Sequence, residues 1–279
     1  MDLIGEPAPN VRQLLAFYLE AGVDCALAEE PVDRLSEPDA PTAPAPVRET
    51  APPRPLREAP AAAPAVPRSE IAPPPEAAIA MAREAARTAP TLEELRALLE
   101  KFEGCALKNT ATRLVFSDGN PEARIMFVGE APGRDEDIEG LPFVGRSGKL
   151  LDRMIAAIGL DRSKAYIANV IPWRPPGNRT PTPQEAAICR PFIDRQIELC
   201  DPDVIVCLGA PSAQALLGIK EGILRSRGKW FTYDTGTRAV KALATLHPAY
   251  LLRQPLQKRL AWRDFRALKK ALLEAQQTA

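Results

Sequence analysis

A single histidine, His247, stands in the stretch TLHPAYLLR (245–253), where an apolar run meets a proline. One imidazole among 279 residues does chemistry only in company. Other apolar runs end in candidates for that company: Gly129, Glu130 and Ala131 in GEAPG (129–133), Asn169 in AYIANV (165–170), and Phe143 with Ser147 in the loop GLPFVGRSG (140–148). An asparagine side chain carries one acceptor and two donors. Held in one orientation, it accepts from the N3–H of a uracil ring while donating to O4; cytosine presents the reverse pattern and would leave buried polar groups unpaired. A neutral histidine donating to O2 would stabilise negative charge on a departing base. A phenylalanine ring would stack on the base.

These residues work together only if the chain brings the run ends to one place. The runs ARIMFVGE (123–130), AYIANV (165–170), DVIVCLG (203–209) and KALATLH (241–247) are short, apolar and β-rich. Helical segments separate them: GKLLDRMIAAIG (148–159), TPQEAAICRPFIDRQIEL (182–199) with Thr182 as N-cap and Pro183 in the first turn, and PSAQALLG (211–218). Thr91 and Glu94 form a capping box ahead of Leu95, Leu98, Leu99 and Phe102. RGKWFTYDTGTRAVKAL (227–243) predicts a hairpin turning at Thr235–Gly236. Alternation of this kind predicts an α/β fold, a parallel sheet with helices on both faces. In such sheets ligands bind beyond the carboxyl ends of the strands. Glu130, Asn169, the Gly209–Ala210 corner and His247 all fall at that edge.

Composition divides the chain into three parts. Fourteen of the thirty prolines lie between Pro31 and Pro75, mixed with alanine and scattered charge. A segment of that kind buries too little apolar surface to offset the entropy of ordering, so residues 31–76 are expected to form a disordered linker. Before it, VRQLLAFYLEAGVD (11–24) has helical apolar spacing, and residues 1–30 are expected to form a short helical segment with a possible protein partner. Residues 77–279 are expected to form the folded domain. The zero net charge hides an asymmetry: residues 1–76 carry thirteen acidic and six basic side chains, residues 225–279 three acidic and twelve basic. The basic end suits a polyanion. No run of about eighteen apolar residues predicts a membrane span. The start, MDLIGEPAPN, lacks the pattern of a secretory signal. Five cysteines without a C-x-x-C pair suggest reduced thiols, so a cytoplasmic protein is expected.

Four ordered blocks, GEAPGRDEDIEGLPFVGRSGKLLD, YIANVIPWRPPGNRTPTPQE, CLGAPSAQALLG and HPAYLLR, resemble the motifs of the family 4 uracil-DNA glycosylases, from about residue 100 to the C-terminus. The resemblance implies a three-layer α/β/α sandwich with a central four-stranded parallel sheet. It also implies a base-excision-repair hydrolase that flips deoxyuridine from DNA, single- or double-stranded, and breaks its N-glycosidic bond. A monomer acting at the bacterial nucleoid is expected. Carried over by position, Phe143 stacks the base, Asn169 reads its edge beside Gly129 and Ala131, and His247 stabilises the leaving anion. Glu130, which directly ends its strand, is the first choice for positioning water, with Asp135 and Asp137 as alternatives. Where other families place the aromatic ring that excludes the methyl group of thymine, this chain has Gly133. Leu251 stands where the superfamily inserts an apolar wedge into the vacated stack. Arg253, Lys258, Arg259, Arg174, Arg179 and Ser147 are candidates for DNA contact.

Family 4 enzymes hold a 4Fe–4S cluster on four cysteines. At those positions this chain has Phe102, Cys105, Trp173 and Cys189. Neither phenylalanine nor tryptophan ligates iron, so the sequence predicts no cluster and no metal. Two rival functions are a uracil-DNA binding or crosslinking protein without turnover, and a nucleotide-binding protein. The first lacks the basic insertion of the crosslinking branch. The second lacks G-x-G-x-x-G spacing.

Overall fold

The computed structural model describes residues 75–277, all within the second of the two units into which the chain divides, Ala65–Ala279. The predicted N-terminal helical segment (1–30) and the linker (31–76) lie outside the described residues, except for residues 75 and 76, which open the first helix.

Six strands form one sheet: β1 (Ser117–Gly119), β2 (Ile125–Gly129), β3 (Tyr166–Asn169), β4 (Val204–Leu208), β5 (Trp230–Asp234) and β6 (Ala239–Thr245), in the order β1-β3-β2-β4-β6-β5. The four inner strands run parallel, as expected, and the outer two are antiparallel. The β5–β6 hairpin turns at the predicted place, with Thr235 Oγ1 accepting from the Thr237 and Arg238 N–H groups. Strand β1 was not expected. Its sequence, Ser-Asp-Gly, carries no apolar alternation, and backbone pairing to β3 alone defines it.

The helices are α1 (Pro75–Thr88), α2 (Leu92–Lys101), α3 (Arg134–Glu139), α4 (Arg146–Ala156), α5 (Pro183–Cys200), α6 (Ala210–Leu217), α7 (Ile223–Ser226), α8 (Pro248–Arg253) and α9 (Lys258–Gln277). Thr182 caps α5 as expected: its Oγ1 accepts from Glu185 N–H at 3.2 Å while the Glu185 carboxylate accepts from Thr182 N–H at 2.7 Å.

Successive strand residues point to opposite faces, which gives the sheet two cores. Met126, Val128, Tyr166, Ala168, Ile205 and Cys207 face α1, α2, α5 and α6. Ile125, Phe127, Ile167, Val206 and Leu243 face α4 and α9. Phe127 and Phe265 of α9 stack with ring centroids 6.1 Å apart, a contact whose truncation to alanine costs about 3–5 kcal/mol. Helix, sheet and helix layers make the expected sandwich, and every inner strand ends on the same edge.

Candidate active site

A cleft of about 310 Å³ opens at that edge, lined by Glu130, Ala131, Phe143, Asn169 and His247 at its base and by Ser147, Arg179 and Arg253 nearer the rim. Gly129 lies beneath it. A Cβ there would stand 2.3 Å from Asn169 Oδ1 and 2.7 Å from Phe143 Cζ, so only glycine lets the two side chains close over the strand end.

His247 is the N-cap of α8, and its Nδ1 accepts from Ala249 N–H at 3.1 Å. An accepting Nδ1 places the single proton of the neutral ring on Nε2, a donor for the cleft. Burial, reinforced by the charge of Arg253, pushes the imidazole pKa down to about 4, so the ring is neutral at physiological pH. The Phe143 ring lies 5.6 Å from the imidazole, tilted by 31°.

Phe143 holds a positive φ of 55°, an uncommon conformation for a residue with a side chain. Two residues that the sequence reading did not single out hold it there. Arg162 donates to the carbonyls of Phe143 and Pro142 while pairing with Asp118 and Asp152. Gly148 lets α4 approach; a Cβ at that position would meet Phe143 O at 1.6 Å. A third such residue, Glu136, is buried and accepts from Gly133 N–H at 3.1 Å and from Gly145 N–H at 3.2 Å, tying two rims of the cleft together. Its sequence signal was its place in the acidic run RDED, where helical phase turns residue 136 inward.

Asn169 is buried at the end of β3, and its amide makes no hydrogen bond among the described residues. Its acceptor and donors remain available to a ligand. Burial raises the pKa of Glu130 above the usual carboxylate value.

Three expectations fail. Asp135 is exposed on α3 and does not line the cleft. Asp137 is buried outside the cleft lining, and its carboxylate accepts from Thr112 N–H at 2.7 Å, Thr112 Oγ1 at 2.9 Å and Arg113 N–H at 3.3 Å, a structural commitment. Arg174, named above for DNA contact, stands beside it outside the cleft, donating to Asn178 Oδ1 at 2.7 Å with Asp137 at 3.8 Å. The third failure is the wedge. Leu251 is only 1% exposed, because the turn of α8 directs it against Leu246 and Ala261; a wedge must reach solvent. In the same segment Leu256 is 85% exposed. Arg179 does line the cleft, yet both its terminal nitrogens hold Glu185, at 2.6 and 2.8 Å.

A planar ring can enter this cleft between Phe143 and a free amide and meet a neutral imidazole donor. The sequence model of the Uracil DNA glycosylase superfamily matches residues 116–266, just over half the chain. The chain belongs to the uracil-DNA glycosylase superfamily. It is 45% identical to the Type-4 uracil-DNA glycosylase of Archaeoglobus fulgidus over 168 residues, covering 59% of this chain and 84% of that protein. Against the Type-4 enzyme of Thermotoga maritima identity is 44%, covering 58% and 86%. Against that of Saccharolobus solfataricus it is 41%, covering 62% and 83%.

A Type-4 glycosylase of this superfamily implies an iron–sulfur cluster, and the residues here do not fit one. Phe102, Cys105, Trp173 and Cys189 are all buried in one apolar cluster. The two Sγ atoms lie 3.9 Å apart, with Cys189 donating to Cys105. That bond lowers the pKa of Cys105. The Phe102 ring meets Phe192 edge-on at 5.0 Å and covers Gly104, where a Cβ would stand 2.4 Å from the ring. Two thiols and two rings are not a ligand set for four irons. Among the described residues, no helix is long and apolar enough to cross a membrane.

Proposed function

We propose that this chain excises uracil from DNA: it draws deoxyuridine into the cleft, breaks the N-glycosidic bond and leaves an abasic site. The observation that carries the reading is the Ala249–His247 hydrogen bond, which fixes a neutral imidazole with Nε2–H free beside Phe143 and Asn169. Phe143 stacks the ring. Asn169 accepts from N3–H and donates to O4, the pattern that cytosine cannot match. As the bond lengthens, electrons move onto the base, and the His247 Nε2–H donor stabilises the charge at O2. An oxocarbenium-like sugar then takes a water held by Glu130, whose raised pKa suits a group that accepts a proton. Leu256 is the apolar tip available to the vacated stack, and Arg253 suits a phosphate.

No step in this reading passes through iron. Incubation with a single-stranded oligonucleotide carrying one labelled deoxyuridine tests the reading. Free labelled uracil is expected. Tight binding without release, or a DNA–protein adduct that survives denaturation, would establish the non-turnover alternative instead.

A further inference from the structure

We propose that the face formed by α4, α8 and the start of α9 is a second DNA-binding surface, a platform on which Trp262 stacks an unpaired base from the single-stranded flank beside the uracil. The inference rests on the uracil-excision reading and extends it outside the cleft.

A separate apolar cleft of about 190 Å³ lies between these helices, lined by Leu150, Met154, Leu251 and Trp262, with Arg153 and Lys258 also contributing to its lining. The Trp262 side chain is 47% exposed. An exposed indole beside an apolar cleft offers a stacking face to an occupant. The charge around it identifies the kind. Arg146, Lys149 and Arg153 follow one another at helical spacing on α4, and Lys258 and Arg266 flank Trp262 at four-residue spacing on α9. None of these cations pairs with a carboxylate among the described residues. The two nearby acids are already engaged, Asp152 by Arg162 and Asp264 by Arg227.

The surface is continuous with the uracil cleft. Ser147, one residue after Arg146, lines that cleft, as do Ala249 and Arg253 of the helix that carries Leu251. From Arg146 to Arg153 α4 rises about 10 Å, enough to follow a strand backbone past more than one phosphate. Cations along a backbone with an aromatic face for one base form the usual architecture of single-strand binding. A base inside duplex DNA offers no free face, so the surface selects a flank that is single-stranded or splayed.

The test measures kcat/KM for the full chain on oligonucleotides with one uracil and thymidine flanks of one to ten nucleotides, extended on either side in turn. The wild type should gain from a longer flank on one side. W262A should lose between about fivefold and about 150-fold on the long substrate, the range for removing one stacked base. The loss should fall on KM, with a trinucleotide unaffected and W262F retaining most of the gain. R153A and K258A should each lower the salt slope by about one. No uracil release from any substrate would defeat the excision reading itself. Release with no dependence on flank length, and W262A equal to wild type throughout, would defeat the platform alone. A gain of activity in W262A would also overturn the proposal.

Discussion

His247 Nδ1 accepts the backbone N–H of Ala249 at 3.1 Å, so one bond caps α8 and sets the tautomer of the imidazole ring. Burial and Arg253 hold the pKa of that ring at about 4, below its ordinary 6.5. A depressed histidine pKa means that the folded state resists protonation. Between about pH 4 and 6.5 the unfolded chain binds the extra proton, so His247 makes the fold less stable as pH falls through that window. Its Nε2–H donor persists throughout it. In the proposed mechanism the acid limb of kcat/KM falls to Glu130, raised by burial above the ordinary 4.5. A kcat/KM profile should show an acid limb above pH 4.5 that E130Q removes and H247A leaves in place. A limb that disappears in H247A instead would reverse the assignment.

Removing the donor or the reader should remove the reaction. Loss of one charge-stabilising donor costs about 10²–10³ in kcat, so H247A should fall by that factor. N169A should fall by at least as much, since both discrimination and orientation rest on one amide. Each side chain faces the cleft, and thermal unfolding midpoints should stay within a few degrees of wild type. N169D should release detectable cytosine, because a carboxyl group presents a different edge. Alanine variants that both excise at near wild-type rates would contradict the assigned roles.

The start of the folded domain can be bracketed. Ala78, Ala82 and Ala86 of α1 are buried in the core shared with α5. Deleting residues 1–74 spares them, and the protein should stay soluble, fold cooperatively and excise uracil from short oligonucleotides. Deleting residues 1–90 strips α5 of that cover and should produce aggregation or a large fall in melting temperature. Equal stability of the two truncations would show that α1 is not part of the domain.

The parallel centre of the sheet was legible because β-branched runs such as DVIVCLG bury both faces and end in glycine or a polar residue. Those ends gave Glu130, Asn169 and His247 directly. What the sequence hid depends on partners far along the chain. Asp137 resembles a catalytic acid until Thr112 and Arg113 arrive 25 and 24 residues away. Leu251 matches a wedge by position, but the phase of α8 turns it inward, while Leu256, in the turn beyond that helix, is exposed. Helix α1 was hidden by composition, since its buried face is alanine at four-residue spacing, Ala78, Ala82 and Ala86, and continues a proline- and alanine-rich stretch. Strand β1 has three residues and no pattern.

The four residues at the cluster-ligand positions yield the last expectation. Phe102 and Trp173 occupy two ligand positions, both under a tenth exposed, beside two thiols 3.9 Å apart. Unfilled core volume costs about 24 cal/mol per Å³, so two large apolar rings keep the surrounding elements packed at positions that offer iron no ligand. The purified protein should be colourless, free of stoichiometric iron and indifferent to chelators. W173A should destabilise it by about 3–5 kcal/mol, the usual cost of truncating a fully buried aromatic ring. F102A should cost less than W173A, because Phe102 is 7% exposed and Trp173 2%. Denaturant melts of the two variants check the ranking, and metal analysis of the wild type checks the premise. One equivalent of cluster per chain would show that Cys105 and Cys189 recruit ligands from elsewhere, and the packing account would fall.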